Sequence, residues 1–260
     1  MKMTITINKY NGADKDNNLR GFANVQMDEF ALENVKIKES KSGELYTELP
    51  RYKRNKGNGE AEYKDVFHPI KQETRQALNE AILTSFERSE TNGQKFAYNY
   101  GKEPMAVKQV KVSLFEKDNL KGFANVVFNN GFALENVRIK HSEKSGELYP
   151  DLAKYSFKDK DDNGEVKLDE NGNEVKVYKD IFHPITKESY NSFRRAVIAA
   201  YQTTYEKRNK LEEVDLEDDF SEELSSSAVD SVGALSDYDD IFTGDELNLV
   251  DSDSQSSGRK

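Results

Sequence analysis

The residues best suited to chemistry here are cations set beside an aromatic ring. Arg51-Tyr52-Lys53-Arg54-Asn55-Lys56 places four positive side chains and one phenol in a single short run. Lys and Arg side chains on a loop neutralise phosphates and release condensed counterions, the source of most sequence-independent affinity for nucleic acid. A tyrosine among them can stack on an unpaired base, worth about 1–3 kcal/mol. The competing reading of such a run is a solvated loop. Lys71 and Arg75 are four residues apart and so share a face at the start of a predicted helix. Amide donors, the helix dipole and the two cations would together suit an anion there.

Other residues suggest other chemistry less well. His68 and His183 invite acid–base catalysis, yet neither comes with a visible nucleophile and orienting carboxylate. Asp65 and Asp180 stand three residues before them, a spacing that suits a local hydrogen bond shaping the helix entry. Asp159-Lys160-Asp161-Asp162-Asn163-Gly164, with Glu170, fits the calcium-loop template, and Val166 occupies its apolar position. No helix follows it, because Asn171-Gly172 is a turn signal and Val175 to Tyr178 alternates, so calcium is not part of the reading. With no cysteine in the chain, disulfides, zinc–thiolate sites, iron–sulfur clusters and thiol catalysis are excluded. No cofactor and no enzymatic activity are expected.

These residues sit in a duplicated body. Asn18-Leu19-Arg20-Gly21-Phe22-Ala23-Asn24-Val25 returns as Asn119-Leu120-Lys121-Gly122-Phe123-Ala124-Asn125-Val126. Phe30 to Val35 returns as Phe132 to Val137, Ser42 to Tyr46 as Ser145 to Tyr149, and Phe67-His68-Pro69-Ile70 as Phe182-His183-Pro184-Ile185. Order is kept while the offset grows from 101 to 115, so the second copy has gained loop residues. Two copies are too few for a solenoid and point to duplicated domains.

Each copy reads alike. Met3 to Lys9 and Phe30 to Lys38 alternate at period two, with Ala31, Val35 and Ile37 on one side. Leu19 to Asp28 is strand-like, with Gly21, and Gly122 in the second copy, marking bulges. Asn58-Gly59, Asn163-Gly164 and Asn171-Gly172 are hairpin turns between strands. After His-Pro-Ile the period becomes helical, through Leu78, Ile82, Leu83 and Phe86, and through Phe193, Val197, Tyr201 and Tyr205. The expected fold class is α+β: two similar domains, each an antiparallel meander of four to five strands followed by one amphipathic helix. A copy of roughly 90 residues has a marginal core alone, so the two should pack as an intramolecular pseudo-dimer. The boundaries are 1–88 for copy one, 89–103 for a polar linker, 104–208 for copy two and 209–260 for a tail.

The 260 residues carry a net charge of −10, but unevenly. From Leu211 onward there are 16 acidic residues and two basic ones, whereas residues 1–210 carry 36 basic and 32 acidic. The body is therefore weakly basic and the tail, too poor in apolar residues to fold alone, is expected to be disordered. No stretch approaches the roughly 18 apolar residues that span a bilayer, and the start lacks a signal-peptide core, so no membrane and a cytoplasmic location are expected. Asp237-Tyr238-Asp239-Asp240-Ile241-Phe242 resembles the acidic tips by which bacterial single-stranded-DNA-binding proteins recruit partners, though its Phe is internal.

The ordered set of motifs resembles the SpoVG family of bacterial stage V sporulation or septation proteins. Copy one carries it as Gly43-Glu44-Leu45-Tyr46, Pro50-Arg51-Tyr52-Lys53, Asn58-Gly59 and His68-Pro69-Ile70 through Thr74-Arg75. Copy two keeps Gly146 to Tyr149 and His183-Pro184-Ile185, with Ala153 for Pro50 and Ser189-Tyr190 for Thr74-Arg75. The resemblance covers about residues 1–88 and 104–208. It implies a dimerising α+β domain that binds DNA and RNA without catalysis, as a site-selective cytoplasmic regulator, through basic residues near the start of the last helix. Thr74 and Arg75 match that stretch; in copy two Arg194-Arg195, one turn further along, would take their place.

The expected function is thus DNA or RNA binding by Arg51, Tyr52, Lys53, Arg54, Lys56, Lys71, Thr74, Arg75, Arg194 and Arg195. In copy two, Lys154, Lys158 and Lys160 are offset by Asp159, Asp161 and Asp162, so copy one should grip harder. A tethered acidic tail would compete with phosphate for that surface. The alternative is a protein-interaction adaptor, in which the tail binds a bacterial partner and nucleic acid is incidental.

Overall fold

The computed structural model describes residues 1–10, 18–55, 60–161 and 163–219. Lys56, the Asn58-Gly59 turn, Asp162 and the acidic segment 220–260 lie outside the described residues. The first repeat supplies β1 (Lys2–Lys9), β2 (Leu19–Met27), β3 (Phe30–Glu39), β4 (Leu45–Glu48), β5 (Arg51–Asn55), β6 (Ala61–Asp65), β7 (Phe67–Pro69), α1 (Gln72–Arg88) and β8 (Gln94–Asn99). The second supplies β9 (Val107–Lys117), β10 (Leu120–Phe128), β11 (Phe132–His141), β12 (Leu148–Asp151), β13 (Lys154–Lys158), β14 (Lys176–Asp180), β15 (Phe182–Pro184) and α2 (Lys187–Asp219).

Among the described residues two main antiparallel sheets, two two-stranded ribbons and two helices make the α+β fold that the periodicities predict. In each repeat three long strands form a meander, and the short strand before the helix is exchanged. β7 of the first repeat pairs with β11 of the second, from Phe132↔Pro69 to Leu134↔Phe67. β15 pairs reciprocally with β3, from Phe182↔Leu32 to Pro184↔Phe30. The sheets run β15-β3-β2-β1-β8, with β4 also on β3, and β12-β11-β10-β9, with β7 also on β11.

Exchange places Phe67 and Phe182 face to face on the pseudo-two-fold axis, ring centroids 4.5 Å apart. Phe67 also stacks on Phe132 at 5.1 Å, and Phe182 on Phe30 at 5.5 Å, the same contact repeated by symmetry. One continuous apolar cluster therefore holds residues of both repeats, including Ile5, Val25, Leu78, Val126, Ile139 and Val197. Sharing the core offsets the small apolar area that a single copy of this size buries.

The strands carry matched irregularities. Register shifts flank Gly21 in β2 and Gly122 in β10, the expected bulges. A Cβ at either would lie 2.7 Å from a backbone oxygen, of Asn8 or Ser113. Asn34 and Asn136 adopt φ of 64° and 61°. Their N–H groups are held by the side-chain oxygens of Asn24 and Asn125 at 3.0 and 2.9 Å. This second bulge changes the parity of β3: opposite Val25, Ala23 and Gly21 stand Leu32, Val35 and Ile37, so Leu32 rather than Ala31 shares the inner side.

Two segments outside the expected domain bodies carry regular structure. The polar linker 89–103 contains β8, which pairs with β1 along Ile7↔Gln94 to Lys2↔Asn99. Its alternating Phe96 and Tyr98 explain why: both are half-buried, while Lys95, Ala97 and Asn99 face outward. α2 continues past residue 208, through Asp219. Residues 206–219 are rich in Glu, Lys, Leu and Asp and hold no Gly or Pro, so nothing stops the helix there. Among the described residues no helix is long and apolar enough to cross a membrane.

Candidate nucleic-acid interface

β5 and β6 form a two-stranded ribbon separate from the main sheets, and β13 and β14 form its counterpart. Ribbon register fixes which side chains share a face: Arg51↔Asp65, Tyr52↔Lys64 and Lys53↔Tyr63; the side chain of Arg54 lies outside the described ones. Lys53 and the 63% exposed Tyr63 point to solvent on one side. Tyr52 and Lys64 are half-buried on the other. Arg51 and Lys53 therefore share one face of the strand, and Tyr52 lies on the other. Arg51 donates to Asp65 at 2.9 Å, whereas Lys53 has no ion-pair partner among the described residues.

Because β7 crosses to β11, the first ribbon lies beside the second repeat's sheet. Tyr52, Lys64, Asp65 and His68 face Lys111, Ser113, Phe123, Asn125, Glu135 and Asn136 across a cleft of about 540 Å³. Its cations are Lys64 and Lys111; of its carboxylates, Asp65 is engaged by Arg51 and Glu135 by His68.

His68 Nε2 lies 3.3 Å from Glu135, and His183 Nε2 lies 3.7 Å from Glu33. Each pair joins one repeat to the other. The facing carboxylate, hydrogen-bonded to His68 and close to His183, raises both imidazoles above their ordinary value, against the opposing effect of burial. The local Asp65–His68 bond suggested by spacing does not form, because Asp65 faces Arg51 and exchange brings Glu135 to the ring instead. Asp180 likewise takes Lys154, at 3.0 Å. The histidines tie the exchanged strands together.

At the start of α1, Lys71 and Arg75 are exposed, and neither has a carboxylate partner among the described residues. Lys71 is the capping residue, and no side chain caps the helix. Thr74 is not at this surface. It is 1% exposed on the buried stripe with Leu78 and Ile82, and its hydroxyl shares a 2.8 Å hydrogen bond with Tyr100. In α2 the same place is closed: Thr186 and Ser189 exchange side-chain-to-backbone bonds at 3.1 and 3.0 Å.

In the second repeat the cations around the ribbon and β12 are engaged by carboxylates. Asp151 takes Arg138 at 3.0 Å, Lys140 at 2.9 Å and Lys154 at 3.2 Å. Burial pushes its carboxyl up, but these three cations together hold it below its ordinary value. Lys158 pairs with Glu174 and Lys167 with Asp159. Arg194 is not free for a ligand: it donates to the carbonyl of Leu148 at 2.9 Å and to Glu147 at 3.0 Å, fastening α2 to β12. Arg195 stays exposed. Asp161 and Asp169 accept N–H groups of their own turns, of Asn163 and Asn171, and no cluster suited to a metal occurs among the described residues.

Sequence reasoning missed Lys64, Tyr63 and Lys111. The first two follow from ribbon register, but Lys111 reaches the cleft only through strand exchange, which no local pattern announces.

Fold and site together define a tandem, strand-exchanged α+β protein that carries a projecting ribbon in each repeat. The SpoVG family model matches residues 1–88 and 105–203, most of the chain and both repeats, so the chain belongs to the SpoVG family. Similar relatives include the putative septation protein SpoVG of Phytoplasma australiense, 35% identical over 89 residues, which are 34% of this chain and 84% of that one. That of Treponema denticola is 33% identical over 88 residues, 34% of this chain and 89% of its own. That of Lachnospira eligens is 30% identical over 89 residues, 34% and 96%. No solved structure matches.

Proposed function

We propose that this chain is a non-catalytic nucleic-acid-binding regulator of the bacterial cytoplasm, gripping phosphates with its first repeat. The observation that carries this reading is the asymmetry of ion pairing. Lys53, Lys71 and Arg75 of the first repeat lack carboxylate partners among the described residues, while Lys154, Lys158 and Arg194 of the second are engaged. A cation already paired with a protein carboxylate gains less from a phosphate, since the old partner must be given up. Arg51 joins the grip readily, because its single pair with Asp65 is half exposed and such pairs are worth about 0–1 kcal/mol. A two-stranded ribbon also fits the dimensions of the major groove, and Tyr52 beside Lys64 and Lys111 offers a ring to an unpaired base.

The test is fluorescence anisotropy of the full chain with labelled single-stranded and duplex DNA and RNA. With three phosphates contacted, affinity should fall about 40-fold between 50 and 200 mM salt. Absence of binding at 50 mM, or binding indifferent to salt, overturns the reading and leaves the adaptor function in its place.

A further inference from the structure

The repeats differ where their helices end. After α1 the chain turns through Gly93, whose φ is 79° and whose N–H bonds to Ile7 at 2.8 Å. It then lays β8 along the edge of β1. Tyr98 of β8 reaches Ser85 of α1 at 2.9 Å, and Arg88 lies over the ring of Phe96. In the second repeat α2 continues instead, and β9, the counterpart of β1, pairs only with β10 among the described residues.

β9 is therefore an edge strand of 11 residues, with Lys108, Gln109, Lys111 and Ser113 exposed. Such an edge presents a row of backbone donors and acceptors ready for another strand. Its charges are Lys108, Lys111 and Lys117 against the single Glu116. Edge lysines oppose pairing with a like-charged strand and favour an acidic one.

We propose that Asp245–Asp251 of the same chain docks on β9 as the strand the second sheet lacks. Asp245-Glu246-Leu247-Asn248-Leu249-Val250-Asp251 carries three carboxylates and no cation. Leu247 and Leu249 repeat the alternate apolar positions of Phe96 and Tyr98 in β8. Reach is ample. Arg208 of α2 already stands 3.8 Å from Glu116 of β9. From there the helix carries the chain only about 16 Å further, to Asp219. The 25 residues between Asp219 and Asp245 can span about 80 Å. A strand so placed runs beside Lys111, at the rim of the cleft, which gives the acidic segment a defined seat on the chain. The inference holds whether or not the cleft takes nucleic acid.

The cysteine-free chain allows a direct test. Ser113→Cys with Asn248→Cys puts two thiols on the outer side of the paired strands, and disulfides form only when Cα atoms come within about 7 Å. In the full chain at low concentration, oxidation should give mostly cross-linked monomer, read by mass and non-reducing gel. The pair Lys95→Cys with Asn248→Cys, on exposed β8 of the other sheet, should cross-link at least tenfold more slowly. Adding Leu247→Asp and Leu249→Asp to the first pair should slow it tenfold. Equal rates at positions 113 and 95, indifference to the leucine changes, or cross-linked dimers as the main product would overturn the proposal.

Discussion

Truncating one ring on the pseudo-axis should weaken both repeats at once. Phe67 is fully buried, stacked on Phe182 at 4.5 Å and Phe132 at 5.1 Å, and edge-on to Phe128 at 6.1 Å. Phe67→Ala removes the ring from a site whose neighbours are anchored in two sheets and cannot collapse far. The cost should be about 3–5 kcal/mol, or about 6–20 °C in melting temperature for a folded body of this size. Phe67 belongs by sequence to the first repeat and by strand pairing to the second sheet. Amide hydrogen exchange should therefore accelerate by similar factors in β2 and β10, and circular dichroism should keep a single transition. Phe182→Ala should do the same to a similar extent. Two separated transitions, or faster exchange confined to one repeat, would refute the shared core.

Three further outcomes follow from the site. His68 and His183 have raised pKa values, owed first to the facing carboxylates of Glu135 and Glu33. A raised value gives stability fully present below the ordinary 6.5 and lost as pH climbs through the folded-state value. The urea midpoint of the natural chain should thus exceed that of the double variant His68→Gln, His183→Gln most at pH 6, with the gap narrowing toward pH 8; a flat gap contradicts the cross-repeat pairs. Thr74→Val deletes a buried hydroxyl bonded to Tyr100, so stability should drop by about 1 kcal/mol in urea unfolding while oligonucleotide affinity stays unchanged. Arg194→Ala should cost about 1–3 kcal/mol in the same unfolding measurement, through the stranded carbonyl of Leu148, with no change in the salt dependence of binding.

Much of this was legible in the residues. Strand alternation, bulge glycines and the change to helical period after His-Pro-Ile all predict elements that form. The buried place of Thr74 was legible too, since it lies four residues before Leu78 on the same helical stripe. So was β8, through Phe96 and Tyr98. Strand exchange was not: Phe67-His68-Pro69 reads identically whether it pairs within its own repeat or across, and only the three-dimensional closure of two small cores decides between them. The partners of His68, Lys111 and Tyr52 depend on that choice and were hidden with it. The parity of β3 was hidden for a different reason, because a left-handed Asn34 held by Asn24 adds a residue that simple alternation does not count.

The central claim, that phosphates are held by the unpaired cations of the first repeat, is tested most directly by salt titrations of oligonucleotide binding. Replacing Lys53, Lys71 and Arg75 with Gln should reduce the slope of log affinity against log salt by about 2.7 on duplex DNA, roughly 0.9 for each lost phosphate contact. Replacing Lys154, Lys158 and Arg194 with Gln should leave the slope nearly unchanged. Equal losses from the two sets, or a larger loss from the second, would contradict the account.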